Sequence, residues 1–315
     1  MSSALNKPIQ LMPIFRERVW GRENLAPFFP ITPRNEHVGE VWFTVSENLT
    51  SLNQTLGQLI KDHPEILGTG ADPRHPGICP LLLKLLFTNS RLSVQVHPDD
   101  EYAQEHHQSL GKTEAWYVLE ANPLGKVAVG FRESVSREKL WEAAHTGEIV
   151  QLLDWRKVTE GEVVYLPAGT VHAVGEGVTL CEIQENSDLT YRLYDFGRGR
   201  ELHLDHAVNV AHLGPHNHQT RPVALADWRD DLVSCRYFRL ERLKPKPSIR
   251  IQRELPYYLL LLCVKGAGTV ANKEVTAGQA WLLPAGAEEV HLGGPGAEWV
   301  VAYAAEHASP GLHGE

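Results

Sequence analysis

The chain has 315 residues and a formal net charge of −9 at pH 7, a balance that disfavours nucleic acid and anionic membranes, which are gripped through clustered Lys and Arg. A chain of this length can bury its own core without disulfides. Its four cysteines, Cys79, Cys181, Cys235 and Cys263, lie far apart with no CxxC pair, which argues against a thiolate metal knuckle and fits reduced thiols in a cytoplasm.

The first fifteen residues show no charged segment followed by an apolar stretch and no A-x-A cleavage site, so no export signal is expected. Residues 38–49 and 81–96 are apolar and β-branched, bounded by Pro, Gly, Asn and Asp, and read as strands. Between them Leu52, Leu56, Leu59 and Ile60 approximate helical spacing before Pro64, which predicts a helix over 52–62. In residues 90–100, SRLSVQVHPDD, alternation puts Ser93, Gln95 and His97 on one face and Leu92, Val94 and Val96 on the other. Asp99 and Asp100 follow Pro98, where they end the strand and cap the next segment. Lys112 and Glu114 then share a face, and Ser136 with Glu138 opens a second helix over 136–153.

Residues 161–172, GEVVYLPAGTVH, resemble residues 278–286, GQAWLLPAG, with five residues between Gly and Pro in both. The same hairpin is expected twice, Pro fixing φ and the turn Gly permitting a positive φ. Only the first copy carries a His three residues beyond that Gly, so the second reads as structural. The stretch from His203 to Thr220 is rich in His, Asn, Gly and Pro, and its His203, His206, His212, His216 and His218 fit no standard metal spacing. It reads as a solvated connection, with a domain boundary near residue 220. The longest apolar run, residues 257–264, is too short to cross a bilayer and reads as a buried strand.

If the strands of Gln95 and His97, of Glu114, and the hairpin ending at His172 line one space, they offer two imidazoles, one carboxylate and a neutral amide oxygen. These are ordinary ligands for zinc or another borderline divalent ion. The same set with open positions also describes non-haem iron sites, so an iron-dependent dioxygenase stands as an alternative.

At this point the chain resembles the cupin-type class I mannose-6-phosphate isomerases, especially the shorter bacterial form. The resemblance runs through residues 13–192: PIFRERVWG, LKLL, LSVQVHPDDEY, GKTEAWY, residues 161–172 and EIQENSDLTYR. QVHPDD and GKTE are specific, whereas Gly-x5-Pro-x-Gly marks only the wider cupin group. The segment between Tyr102 and Gly111 is short and lacks the helical insertion of the longer enzymes, and residues beyond 220 match weakly. The resemblance implies an all-β cupin (jelly-roll) fold of two barrels. A catalytic unit would span 1–220, with a helical decoration near 136–153, and a degenerate second unit 221–315. It implies one zinc ion on Gln95, His97, Glu114 and His172, an active-site Arg192, and pocket positions at Lys84, Ser93, Lys112, Glu182 and Asp188.

Such an enzyme moves a proton between C2 and C1 of a sugar phosphate through an enediol. Lys112 or Glu182 suits the base. Arg192, on the polar side of its strand with Thr190 and Tyr194, suits the phosphate, with Lys84 and Ser93 in support. The expected partner is a small-molecule sugar phosphate bound by a cytoplasmic monomer or homodimer. A non-catalytic sugar-phosphate-binding cupin is the remaining alternative.

Overall fold

A computed structural model describes residues 5–30, 37–217, 220–252, 255–294, 296–304, 309 and 311–314; His218 lies outside them. Among the described residues the strands form four antiparallel sheets. The first, six-stranded, runs in the order Ile14–Arg22, Val38–Trp42, Leu81–Phe87, Val178–Glu185, Glu114–Ala121, Val163–Leu166. A five-stranded partner runs Tyr191–Tyr194, Val94–Val96, His172–Val174, Lys126–Phe131, Leu153–Lys157. The C-terminal part supplies a seven-stranded sheet centred on Leu259–Lys265 and Glu298–Tyr303, and a second five-stranded sheet that includes Ser248–Ile251 and Val290–Gly293.

Alternation along the strands decides how these sheets stack. In Leu81–Phe87 the odd positions Leu81, Leu83, Leu85 and Phe87 join Ala115, Tyr117, Cys181 and Ile183 in one core with Leu240, Leu260, Leu282 and Ala302 of the seven-stranded sheet. That face glues the two halves of the chain together. Each such Leu contributes about 1.5–3 kcal/mol of burial. The even positions point the other way, where Leu86, Trp116, Val118, Val164 and Leu180 meet Val127, Val129 and Val174 of the five-stranded partner. The outer face of that partner carries Val94, Val96, Ala173, Tyr191 and Leu193 against the helices Arg137–Thr146 and Leu204–Val210. The seven-stranded sheet covers its far face with Ile249, Ile251, Val270, Val290 and Leu292.

The first helix is Leu56–Asp62, four residues shorter than its spacing suggests, because Thr55 caps it by accepting the Gln58 N–H at 3.3 Å. The 136–153 segment is two helices, Arg137–Thr146 and Ile149–Leu152, divided at Gly147 with φ 82°. Asp99 caps Asp100–His107 by accepting the Tyr102 N–H. Instead of a purely solvated connection, the His-rich stretch contains the helix Leu204–Val210. Both copies of the Gly-x5-Pro-x-Gly hairpin hold their glycines at positive φ, Gly161 and Gly169 at 85°, Gly278 at 91° and Gly286 at 69°. The short strand Ile9–Leu11 pairs with Ala280–Leu283, so the N-terminal segment is sewn into the C-terminal sheet. No helix among the described residues is long and apolar enough to cross a membrane.

Candidate active site

The inner face of the six-stranded sheet changes character along its strands. Leu86, Val118 and Leu180 fill one end, and the next inward positions bring Lys84, Trp116 and Glu182, then Glu114 and Gln184. Register sets Glu182 between Lys84 and Trp116 and sets Gln184 opposite Glu114. Lys84 Nζ lies 2.7 Å from Glu182 Oε1, and the Trp116 indole donates to Glu182 Oε2 at 2.8 Å. Burial alone would raise the Glu182 carboxyl, but the ammonium groups of Lys84 and Lys112 overcome it and hold it below its ordinary value. Lys84 is raised in turn: burial opposes its charge, and Glu182 and Glu40 outweigh it.

The facing sheet delivers the imidazoles. His172 pairs with Gln95 across the sheet, and the turn residue Gly169 donates its N–H to the His97 carbonyl at 2.8 Å, so the Pro-x-Gly hairpin lies along the Gln95–His97 segment. His97 Nδ1 lies 2.8 Å from the Leu189 carbonyl and His172 Nδ1 2.8 Å from the Thr170 carbonyl. A carbonyl only accepts, so both rings carry the proton on Nδ1 and turn a lone pair on Nε2 inward. His97 Nε2 is 3.6 Å and His172 Nε2 3.4 Å from the Glu114 carboxylate, and one ligand atom from each residue falls within 4.8 Å of the others. His97 Nε2 and both Glu114 oxygens are buried without a hydrogen-bond partner.

Buried acceptors of this kind, converging with no donor between them, suit a divalent cation. Without one, burial pushes both imidazoles down, His172 to about 4, and pushes the Glu114 carboxyl up. The Gln95 amide stands 3.2 Å from His172 Nε2, and Lys112 Nζ 3.6 Å from Glu114.

Beside the triad opens a cavity of about 470 Å³ lined by Lys84, Ser93, Gln95, Lys112, Glu182, Asp188 and Arg192, all singled out from sequence. The same walls hold Arg18, Trp20, Glu40, Thr190 and Arg200. Of these Arg18, Glu40 and Arg200 carry charge into the cavity and were missed as site residues. Arg18 lies in the RERVWG segment, where Arg16 and Arg18 alternate with Glu17 and Val19, a pattern that marks a strand but not the cavity it faces. Arg200 is gripped by both oxygens of Asp195, at 2.5 and 2.9 Å. Arg192 Nη1 donates to the Glu201 carbonyl at 2.7 Å, while its Nε is buried without a partner.

Two details differ from the alternation read in sequence. Leu92 lines the cavity and its apolar end instead of joining Val94 and Val96, because the strand begins only at Val94. Tyr194 leaves the Thr190–Arg192 face, because the pairing shifts register between Arg192 and Tyr194. The His-rich stretch supports the site from behind. His203 Nδ1 accepts the Arg192 N–H at 3.2 Å, and the His212 ring packs where a side chain on Gly169 would sit.

Comparison with known proteins gives consistent relatives. A family model described as phosphomannose isomerase type I, catalytic domain, matches residues 9–127. The mannose-6-phosphate isomerase ManA of Bacillus subtilis is 34% identical over 310 residues, covering 91% of this chain and 96% of that protein. A mannose-6-phosphate isomerase of Streptococcus mutans is 34% identical over 280 residues, covering 84% and 87%. Among solved structures, a mannose 6-phosphate isomerase from Bacillus subtilis superposes with a TM-score of 0.85 at 28% identity, over 94% of this chain and 99% of that one. A phosphomannose isomerase from Salmonella typhimurium shares the fold, with a TM-score of 0.77 at 17% identity over 95% and 99%.

Proposed function

The chain belongs to the type I phosphomannose isomerase family and is an aldose–ketose isomerase, and from that premise we propose that it interconverts mannose 6-phosphate and fructose 6-phosphate with one zinc ion held by Gln95, His97, Glu114 and His172. The observation that carries the reading is the convergence of two imidazole lone pairs and an unsatisfied buried carboxylate beside a cavity walled by cations. Zinc supplies a Lewis acid that polarises the sugar's oxygen atoms and lowers the cost of charge developing there.

The residues of the chain do the rest. We assign proton transfer to Glu182, which lines the cavity and, paired with Lys84, stands at neutral pH in the ionised form a base requires. Glu182 takes the proton from C2, the C–H electron pair becomes the C1=C2 bond, and the C1=O pair moves to O1. Returning that proton to C1 while the O2 proton passes to O1 forms the C2 ketone and the C1 hydroxyl. Lys112 and Lys84 stabilise the negative charge of the enediolate and orient its oxygens. Arg192, backed by Arg200 and Ser93, binds the phosphate dianion, for which a planar fork of donors suits bidentate recognition. Asp188 faces the same space and suits a sugar hydroxyl. Charged residues outnumber the apolar Val19, Trp20, Leu86 and Leu92 in the cavity wall, which suits a phosphorylated sugar better than an aromatic oxygenase substrate.

We place the catalytic unit in residues 1–220 and a second cupin-like unit in 221–315, with Ile9–Leu11 strapped to the latter. A reducing cytoplasm suits the four unpaired cysteines, and a monomer or homodimer acting on a small molecule suits the acidic surface balance. The test is Glu182→Gln in deuterated water. The parent enzyme incorporates deuterium at C2 of recovered mannose 6-phosphate, and the variant slows this by about a hundredfold to ten-thousandfold while retaining zinc. Undiminished exchange in the variant would move the base to Lys112.

A further inference from the structure

We propose that Glu185 and Asp100, two carboxyl groups outside the cavity that share a proton, are positioning residues that clamp residues 111–113 and thereby aim Lys112 and Glu114. The proposal rests on the reading above, in which those two residues face substrate and metal.

Residues 111–113 precede the strand Glu114–Ala121 and have no ladder partner of their own. They are held by point contacts. The Gly111 N–H donates to Asp100 Oδ1 at 3.0 Å, and the Lys112 N–H to the Pro98 carbonyl at 2.9 Å. The Thr113 N–H donates to Glu185 Oε2 at 2.8 Å, and the Glu185 N–H returns to the Thr113 carbonyl at 3.1 Å. Glu185 thus grips Thr113 with both side chain and backbone, on the face of its strand opposite to Glu182 and Gln184. A side chain at 111 would lie 2.5 Å from the Asp100 backbone nitrogen, so glycine lets the segment press directly on the 99–100 turn.

The carboxyls of Glu185 and Asp100 line one small cavity and lie close enough to interact. Two carboxylates have no donor between them, so one carries a proton. Arg74, itself gripped by Asp72, donates to Asp100 Oδ2 at 2.8 Å and keeps Asp100 ionised, which leaves the proton on Glu185. Burial and then Asp100 push Glu185 up to about 8. From the other side Glu185 faces Tyr165, Cys235 and Tyr237, with Arg236 across a shared cavity. Below about pH 8 the shared proton holds Glu185 to Asp100; above it Glu185 ionises, keeps the Thr113 N–H and repels Asp100, which pulls the two halves of the clamp apart.

The experiment compares Glu185→Ala and Glu185→Gln in the full-length zinc-loaded protein, reading kcat, KM and zinc retention from pH 6 to 10. An amide offers N–H to Asp100 and oxygen to Thr113, so Gln restores what Ala removes. Displacing a reacting group by about 1 Å costs about 10²-fold in rate, and that fall in kcat, with faster zinc loss, is expected of Glu185→Ala. The Gln variant recovers the rate and lacks the decline in kcat above pH 8 that the parent shows. A parental rate and pH profile in Glu185→Ala, or a folded Gln variant as slow as Ala, would overturn the proposal. If Glu185→Ala does not fold, the pH profile of the Gln variant decides by itself. Lys112→Ala and Glu114→Ala are the controls: turnover surviving in them would sink the site reading instead of the clamp.

Discussion

Replacing Lys84 by Met keeps the length of the side chain and removes its charge, leaving Glu182 buried with the Trp116 indole at 2.8 Å as its hydrogen-bond partner and only the charge of Lys112 to offset its own. Breaking a buried pair by removing one member costs about 3–5 kcal/mol, a large share of the roughly 5–15 kcal/mol that holds a typical protein together. The pH dependence fixes the sign. Glu182 is held below its ordinary 4.5, so its share of the stabilisation is present above that value and lost as pH falls through its lowered one. Lys84 is held above its ordinary 10.5, so its share is present below 10.5 and lost as pH rises through the raised one. The deficit of Lys84→Met is therefore fully developed at pH 7 and shrinks at pH 4 and below, as Glu182 takes a proton. Urea unfolding followed by tryptophan fluorescence at pH 7 and at low pH measures both. Adding Glu182→Gln, which keeps an acceptor for Trp116 without the charge, should return most of the stability and none of the turnover. A loss below about 1 kcal/mol at pH 7, or an equal loss at both pH values, would show that the pair is not the buried couple described here.

Gly111→Ala should destabilise the protein by about 1–3 kcal/mol or more, as overpacking does, because the added carbon meets backbone at 2.5 Å; thermal unfolding reads it. Arg192→Lys keeps a charge and loses the donor fork, and a charged hydrogen bond worth about 1.5–3 kcal/mol predicts a fall of roughly ten- to a hundredfold in kcat/KM for the phosphorylated sugar. An unchanged kcat/KM would move the phosphate away from Arg192. Gly147→Ala forces a side chain into φ 82° and to 2.8 Å from the Tyr194 hydroxyl. It should lower the melting temperature without changing KM.

Much of the site was legible because it sits on strands. Period-two alternation places Ser93, Gln95 and His97 toward one space, and Lys112 with Glu114, from the sequence by itself. The repeated Gly-x5-Pro-x-Gly turn was legible for the same local reason, that only glycine takes those positive φ values cheaply. What could not be read was set by local caps and strand starts and by contacts distant in sequence. Leu52 matches the helical spacing of its neighbours, yet the Thr55 cap starts the helix later. Leu92 fits the alternation, yet the strand begins two residues on. Arg18 and Arg200 carry no motif of their own and become cavity residues only when Ile14–Arg22 and the loop after Tyr191–Tyr194 close around Lys84. Glu185 is one of several acidic residues in the 182–188 stretch, and only the fold reveals that it faces Asp100 and Thr113 while Glu182 faces the cavity.

The most direct measurement is a coupled assay of mannose 6-phosphate conversion to fructose 6-phosphate by the purified protein, before chelation, after it, and after zinc is restored, with His97→Ala alongside. Turnover that disappears with the metal, returns with zinc and is absent from the folded variant is the predicted result. Turnover indifferent to chelation, or undiminished in His97→Ala, would contradict the metal site built from His97, Glu114 and His172.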